Sequence, residues 1–171
     1  MKALVTGASG FIGSHVVDEL QRQGHDVTAL VRPTSDTSHL REVEVRLATG
    51  DVTDPESLKR ACEGMDWVFH NAAVVASYGS WAHYRDVGVE GSKNVIDAAA
   101  AAGVQRFVHT GSIAVYGTRP KGAPFTEETP YDEKPERWNH YVREKVLSEK
   151  LLWKAHADGR IQATSIRPSV V

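Results

Sequence analysis

Three evenly spaced glycines near the N-terminus constrain the fold of this chain more than any other feature. Gly7, Gly10 and Gly13 follow the apolar residues 3–5 and precede an amphipathic segment, an order that predicts a strand, a tight turn and a helix. Glycine at these points lets the backbone turn sharply, lets a ligand approach the main chain, and lets the helix pack closely on the strand. Free N–H groups at the start of that helix would favour a phosphate. The spacing G-x-x-G-x-x-G differs from the usual G-x-G-x-x-G dinucleotide fingerprint, and an ordinary strand-to-helix turn is the alternative interpretation.

Composition and charge narrow the class of protein. With 171 residues, 41% of them apolar and 25% charged, the chain has the composition of a soluble globular protein with one domain. A formal net charge of -2 and the absence of a long basic run argue against a nucleic-acid partner. The single cysteine, Cys62, cannot form an internal disulfide, which favours the reducing cytoplasm, and no segment is long enough for a transmembrane helix. We therefore expect a cytoplasmic protein that binds neither nucleic acid nor a membrane.

Strands and helices alternate along the chain. Each predicted strand is a short apolar run, and the predicted helices show helical periodicity or helix-start signals. The predicted strands are residues 2–5, 27–31, 43–47, 67–70, 106–110 and 162–167, and the predicted helices are residues 11–23, 54–62, 87–102 and 141–156, with a loop at 34–38. Right-handed crossovers at this rhythm build an α/β domain with a doubly wound parallel sheet of the Rossmann type over residues 1–171. Ligands of such sheets bind beyond the carboxyl ends of the strands, so functional residues are expected there.

Arg32 follows the second strand, about twenty residues after the glycines. An acidic residue at this place would bind the 2'-hydroxyl of an adenosine ribose. An arginine cannot accept hydrogen bonds from hydroxyls, yet it pairs well with a 2'-phosphate. The sequence therefore predicts NADP(H) in preference to NAD(H), and a solvated surface charge is the alternative interpretation of Arg32.

The next two strand ends carry further candidates for a cofactor site. Asp51 and Val52 close the third strand, where a carboxylate beside an apolar wall could bind the adenine amino group. A cap on the following helix is the alternative role of Asp51. Asn71, Ala72 and Ala73 close the fourth strand, and their small side chains would leave room for a ribose and a nicotinamide.

A serine, a tyrosine and a lysine form the candidate catalytic group. Ser112 lies just past the fifth strand, and Tyr141 and Lys145, four residues apart, project from one face of a helix. A nearby ammonium stabilises a phenolate, so Tyr141 could act as general acid or base on a substrate hydroxyl or carbonyl, with Ser112 donating to the same oxygen. Such a tyrosine and lysine also occur by chance as a surface pair. Their combination with the glycine turn and Ser112 is what makes the pattern specific.

These motifs together resemble the extended short-chain dehydrogenase/reductase family, which includes sugar-nucleotide epimerases, dehydratases and dihydroflavonol-reductase-like enzymes. TGASGFIG at residues 6–13 is similar to the family's T-G-x-x-G-F-x-G turn, YVREK at 141–145 to its Y-x-x-x-K, and Arg167-Pro168 to its R-P-x-x-V segment. The resemblance implies hydride transfer at C4 of a nicotinamide, with Lys145 also holding the nicotinamide ribose. The candidate cofactor-binding residues are then Gly7, Ser9, Gly10, Phe11, Ile12, Gly13, Arg32, Asp51, Val52, Asn71, Ala72, Ala73, Tyr141, Lys145 and Pro168.

Three features depart from the family pattern. Gly88 replaces the asparagine of the family's N-V-x-G-T, and Glu144 precedes the lysine where a small residue is common. We expect Glu144 to point away from the site. Members of the family also continue beyond the position of Val171 with a further strand and a mostly C-terminal substrate-binding region. The chain is therefore expected to hold the cofactor half of an enzyme, truncated before the substrate region.

Several functional interpretations remain open. Ile113 and Ala114 stand where the family's dehydratases carry an Asp-Glu pair, which argues against dehydration. A carbonyl reductase is favoured over an epimerase, because NADPH supplies net reducing equivalents. A cofactor-binding regulator and an inactive fragment are alternatives from other classes. The family often forms homodimers through the long helices, and the proline-rich segment 118–139 is a candidate functional loop.

Metal chemistry is not predicted. The eight histidines are scattered without the spacing of metal ligands. His70 and His109, near strand ends, and Cys62, on a helix, are interpreted as packing residues.

Overall fold

A parallel six-stranded sheet forms the centre of the computed structural model, which describes residues 1–74, 79–117, 124–132, 134 and 139–169. The strands are β1 (Lys2–Thr6), β2 (Asp26–Val31), β3 (Arg46–Thr49), β4 (Trp67–His70), β5 (Arg106–Thr110) and β6 (Ala163–Ile166). Their order across the sheet is β3-β2-β1-β4-β5-β6, so the direction of winding reverses between β1 and β4. The predicted doubly wound sheet of the Rossmann type is confirmed.

Helices cover both faces of the sheet. They are α1 (Phe11–Arg22), α2 (Ser38–Glu42), α3 (Pro55–Cys62), α4 (Trp81–Tyr84), α5 (Gly91–Ala101) and α6 (His140–Ala157). Val5 of β1 belongs to one apolar core with Val17 of α1, whereas Leu4 belongs to a second core with Val95 of α5 and Leu152 of α6. Successive strand residues point to opposite faces, so the continuous apolar run of β1 is buried on both sides.

The connection between β2 and β3 differs from the sequence prediction. The sequence predicts a loop at 34–38 and a strand at 43–47, but α2 lies between them and β3 begins later. Leu40 of α2 is 1% exposed, so a short helical turn buries this side chain. Glu44, with φ of 53°, ends the helix in a left-handed conformation, and the N–H of Val45 donates to the carbonyl of Leu40. This turn packs Val43 and Val45 against the core before β3 begins.

The long helix before β5 begins earlier than the predicted residue 87. It starts with α4, continues through a π-helical segment at Arg85–Glu90, and passes into α5 without a break. Half of the predicted loop 118–139 lies outside the described residues. Among the residues that are described, no helix combines the length and the apolar character needed to cross a membrane.

Candidate active site

A cleft of about 690 Å³ lies at the carboxyl ends of the strands. Residues that follow each of the six strands form its walls. The sequence-predicted candidates on these walls are Gly7, Ser9, Gly10, Phe11, Ile12, Gly13, Arg32, Asp51, Val52, Asn71, Ala72, Ala73, Ser112, Tyr141, Lys145 and Pro168. The structure therefore brings all of these residues together on one surface, while the role of each stays a prediction.

Close packing within the first turn requires Gly7 and Gly13. Gly7 has φ of +66°, and a Cβ atom there would lie 2.7 Å from the backbone nitrogen of Ala72. A Cβ atom on Gly13 would lie 2.1 Å from the carbonyl oxygen of Gly7. A side chain at either position would push α1 or the end of β4 away from β1. These two glycines thus fix the N-terminus of α1 against the sheet.

The N-terminus of α1 suits an anion. Gly10 is its N-cap residue, no side chain among the described residues caps the helix, and its first turn contains no acidic residue. Gly10 and Ser9 are exposed, and Phe11 is 65% exposed. The first N–H groups of a helix lack partners within the helix, and the helix dipole favours negative charge there. The turn can therefore hold a phosphate group by its backbone.

Arg32 is exposed at the wall of the cleft beyond β2. Its backbone N–H donates to Ser35 Oγ at 3.2 Å, and the N–H of Ser35 donates to the carbonyl of Arg32 at 3.0 Å. Within the described parts of the chain, the guanidinium has neither a hydrogen-bond nor an ion-pair partner. It is therefore available to an anionic group, and the hydroxyl of Ser35, which the sequence pattern did not predict, lies on the same wall.

Asp51 does not cap a helix. Asp54 caps α3, since its carboxylate accepts from the N–H of Glu56 at 3.1 Å. Asp51 Oδ1 instead accepts from the N–H and from the hydroxyl of Thr53, both at 2.8 Å. This turn holds the carboxylate at the cleft beside the buried side chain of Val52.

Asn71 joins the ends of three strands. Its Nδ2 donates to the carbonyls of Thr6 and Phe69, both at 3.4 Å, and its Oδ1 accepts from Thr110 Oγ1 at 2.7 Å. The N–H of Ala72 donates to Thr6 Oγ1 at 3.3 Å. The Asn71 side chain therefore holds the floor of the cleft together, and Thr110 is a lining residue that the sequence pattern did not predict.

Two histidines are buried beneath this floor. His70 Nδ1 lies 2.7 Å from Thr6 Oγ1, and its Nε2 lies 2.9 Å from Ser92 Oγ. Burial, with a smaller effect from the charge of Lys145, lowers the pKa of His70 to about 3. Burial also holds the pKa of His109 well below its usual value. Both rings are therefore neutral packing groups, as predicted, and Cys62 is likewise a buried free thiol.

Ser112, Tyr141 and Lys145 come to the cleft from two elements. Ser112 follows β5, and its Oγ accepts from the N–H of Ala114 at 3.2 Å, which caps a 3₁₀ helix at Ile113–Tyr116. The hydroxyl proton of Ser112 is thus left for another acceptor. Tyr141 and Lys145 share one face of α6, and Lys145 Nζ lies 5.7 Å from the centre of the Tyr141 ring. The phenol of Tyr141 and the buried amino group of Lys145 thus line the same part of the cleft as Ser112.

Glu144 does not line the cleft, as expected, but its buried carboxylate lies beside Lys145, which does line it. The side chain is 1% exposed, and its Oε2 lies 3.7 Å from Lys145 Nζ. It fills the space above Gly88 in the π-helical segment, where a Cβ atom would lie 2.2 Å from Glu144 Cγ. Burial raises the pKa of Glu144, and the charge of Lys145 acts in the opposite direction. The sequence did not reveal the contact between Gly88 and Glu144, because these two residues lie far apart along the chain.

A buried ion pair that the sequence did not predict anchors the Ser112 side of the cleft. Arg167 Nε donates to Oε1 of the fully buried Glu149 at 2.7 Å. The same guanidinium donates to the hydroxyl of Tyr116 at 2.5 Å and to that of Tyr131 at 3.2 Å. Burial acts to lower the pKa of Arg167, but the bond to Glu149 outweighs it and the pKa is raised. The cluster ties β6 and α6 to the 3₁₀ helix after Ser112.

Other lining residues have no motif that would have identified them. They are Leu30, Gly50, Val87, Gly111 and Ser169. Gly111 lies so close to the ion pair that a Cβ atom would be 3.0 Å from Glu149 Oε2. Within the described segments, no three His, Cys, Asp or Glu side chains converge on a point where a metal ion could bind.

Comparisons with known proteins group this chain with one enzyme family. A family model described as the NAD dependent epimerase/dehydratase family matches residues 3–171. The chain is 36% identical to a 3-beta-hydroxysteroid dehydrogenase of Mycolicibacterium neoaurum, over 98% of this chain and 47% of that protein. It is 34% identical to a 2-alkyl-3-oxoalkanoate reductase of Stenotrophomonas maltophilia, over 100% of this chain and 51% of that protein.

A solved structure supports the same grouping. The UDP-glucose 4-epimerase of Thermus thermophilus, in complex with NAD, matches with a TM-score of 0.85 and 28% identity. The match covers 98% of this chain and 54% of that one. The chain thus spans about half the length of the curated relatives and of the structure that it matches.

Proposed function

Because the chain belongs to the NAD-dependent epimerase/dehydratase family, we propose that it is an NAD(P)-dependent oxidoreductase of the extended short-chain dehydrogenase/reductase type. Its reaction is hydride transfer to or from the carbon of a carbonyl or secondary alcohol in a small molecule. One observation carries this proposal: Ser112, Tyr141 and Lys145 line the same cleft as the glycine turn. The names of two relatives, a hydroxysteroid dehydrogenase and an oxoalkanoate reductase, agree with this kind of substrate group.

The walls of the cleft fit an extended dinucleotide. The backbone at the start of α1 would bind the pyrophosphate, and the carboxylate of Asp51 would accept a hydrogen bond from the adenine amino group. Ala72 and Ala73 leave space above the sheet, and Lys145 would donate to the nicotinamide ribose. When bound, the nicotinamide gives or takes the hydride.

Tyr141 and Ser112 act on the oxygen of the substrate carbonyl or alcohol. During reduction, the Tyr141 hydroxyl donates a proton to the carbonyl oxygen; during oxidation, the phenolate accepts the proton of the alcohol. Ser112 Oγ donates a hydrogen bond to that oxygen and holds it in place. Lys145 lies on the same face of α6, with its Nζ 5.7 Å from the centre of the Tyr141 ring.

Arg32 favours NADP(H) as the cofactor. Its guanidinium is exposed on the wall of the cleft and can pair with a 2'-phosphate, whereas it cannot accept the ribose hydroxyls of NAD(H). The Thermus epimerase binds NAD, so NAD(H) is the alternative.

A nucleotide-sugar epimerase is the second candidate function. Epimerisation uses the same acid–base and hydride chemistry, and the Thermus structure is a UDP-glucose 4-epimerase. Arg32 favours the reductase, because NADPH supplies net reducing equivalents. The homodimer and the cytoplasmic location stay predictions from the sequence.

Tyr141→Phe tests the assignment. We expect turnover to fall about 100-fold or more, because the variant cannot exchange the proton. Binding of NADPH, followed by its fluorescence, should stay within about twofold of the original value, because the ring that packs in the site is retained. Turnover is measured as oxidation of NADPH with a panel of 3-oxosteroids and 3-oxo acids, and as interconversion of UDP-sugars.

Two results would overturn the proposal. Unchanged turnover in Tyr141→Phe would remove Tyr141 from the acid–base role. Tight binding of cofactor by the unmodified chain without turnover of any member of the panel would favour the cofactor-binding regulator or the inactive fragment.

A further inference from the structure

Gly88 and Glu144 form one packed unit. A Cβ atom on Gly88 would lie 2.2 Å from Glu144 Cγ and 2.5 Å from both Cδ and Oε1, so any larger residue at position 88 would displace the carboxyl group. Gly88 lies in a helical segment and has no left-handed φ, so space and not backbone conformation demands glycine here. The two departures from the family pattern are therefore a single structural feature: the glycine makes room for the glutamate.

The carboxylate of Glu144 is the counter-charge of Lys145. Both side chains are almost fully buried, at 1% and 3% exposure, and Glu144 Oε2 lies 3.7 Å from Lys145 Nζ. Among the described residues, Glu144 is the acidic group that pairs with this ammonium. The other titratable groups that face Lys145 are the neutral His70 and His109 and the phenol of Tyr141. A buried ammonium without a counter-charge would be strongly unfavourable, so Glu144 stabilises Lys145 in its place.

This pairing also sets the net charge beneath the reactive end of the cleft. A carboxylate and an ammonium in contact carry no net charge together, wherever the shared proton lies. The oxidised nicotinamide ring carries one positive charge more than the reduced ring. A net positive charge at Lys145 would therefore disfavour the oxidised cofactor relative to the reduced one.

We propose that Glu144 is a positioning and charge-balancing residue that holds Lys145 and sets the relative affinity of the site for oxidised and reduced cofactor. The proposal rests on the proposed function, since it assigns Lys145 to the nicotinamide end of the cleft. Gly88 is part of the same arrangement, because the absence of a side chain at this position leaves space for the carboxyl group of Glu144.

Glu144→Gln tests the charge. The variant keeps the shape of the side chain and leaves Lys145 with an uncompensated charge. The dissociation constants of NADP⁺ and NADPH are measured by calorimetry. We expect the ratio of the constant for NADP⁺ to that for NADPH to rise about three- to tenfold, the effect of one partly screened unit charge. Glu144→Asp, which retains the charge, should move this ratio back toward the original value. Glu63→Gln, which removes an exposed acid outside the cleft lining, should leave the ratio unchanged.

A double-mutant cycle on stability, measured without cofactor, tests the packing of Gly88 against Glu144. Gly88→Ala should lower the midpoint of urea unfolding in the original chain and lower it much less in a Glu144→Ser background, where the space is open. Equal losses in both backgrounds would overturn the packing of the pair.

The outcomes separate this proposal from the proposed function. Binding of both cofactor forms with an unchanged ratio in Glu144→Gln would overturn the charge-balancing role and leave the oxidoreductase proposal standing. Failure of the original chain to bind either form would overturn the oxidoreductase proposal, and with it the charge balance.

Discussion

Arg32→Ala should change the cofactor preference without changing the fold. The guanidinium is exposed and has no partner among the described residues, so its removal breaks no internal contact there. A hydrogen bond between charged groups contributes about 1.5–3 kcal/mol, and exposure to solvent and salt places this one in the lower half of that range. A loss of about 1.5–2 kcal/mol corresponds to a 10- to 30-fold weaker affinity for NADPH. The affinity for NADH, which lacks the 2'-phosphate, should change less than about twofold.

Calorimetric titration of both reduced cofactors at two salt concentrations measures this effect. The difference between the original chain and Arg32→Ala should shrink at the higher salt concentration, because the paired charges are exposed. Arg41→Ala is the matched control, because it removes the same charge from α2 and Arg41 does not line the cleft. The Nε of Arg41 donates to Thr37 Oγ1 at 3.0 Å. Equal affinity of the original chain for NADH and NADPH would refute the assignment. So would an equal loss of NADPH affinity in Arg41→Ala.

Three further perturbations test the structure around the site. Gly13→Ala should lower the free energy of unfolding, measured in urea, by about 2–3 kcal/mol, because its Cβ atom would lie 2.1 Å from the carbonyl oxygen of Gly7. In Gly10→Ala the same distance is 3.3 Å, so this variant should keep its fold but bind the cofactor more weakly. Equal stability of the two variants would contradict this explanation. Arg167→Met should cost about 3 kcal/mol, because it leaves the buried Glu149 without its charged partner and with only Tyr131 and Trp153 among the described residues as donors. Adding Glu149→Leu should recover most of that loss, and no recovery would show that the ion pair is not the cause. His70 takes up a proton near the ordinary histidine pKa of 6.5 when unfolded but only near a pKa of about 3 when folded. Its contribution to the free energy of unfolding should therefore fall by about 1.4 kcal/mol for each pH unit between pH 6.5 and about pH 3. Urea titrations at several pH values should give a shallower dependence on pH for His70→Asn, and equal slopes would mean that His70 titrates normally.

The parts of the fold that depend on local pattern could be predicted from the sequence. The strands β4 and β5 have the predicted bounds, because each is a short apolar run between polar or turn-forming residues. The start of β3 could not be predicted, because it depends on a left-handed Glu44, a residue type that gives no signal of that conformation.

The same distinction holds for the cleft. The strand-end residues and the Tyr141–Lys145 spacing were visible, because parallel strands bring their ends to one edge and helical spacing is local. The Gly88–Glu144 contact and the Arg167–Glu149 pair were not visible, because each joins positions that only tertiary packing brings together. Both unpredicted contacts involve carboxylates that are almost fully buried, a placement that charged residues adopt rarely and only when paired.

The π-helical segment at Arg85–Glu90 acts as an angular offset within the long helix. Successive residues of an α-helix are rotated by about 100°, and a π turn holds one residue more than an α turn, so winding this segment as a regular α-helix with all its residues kept would turn α4 by about that angle relative to α5. Val87 would leave the wall of the cleft, and Gly88 would turn away from Glu144, although every side chain was retained. Phase along this helix, and not only residue identity, is therefore what the site depends on.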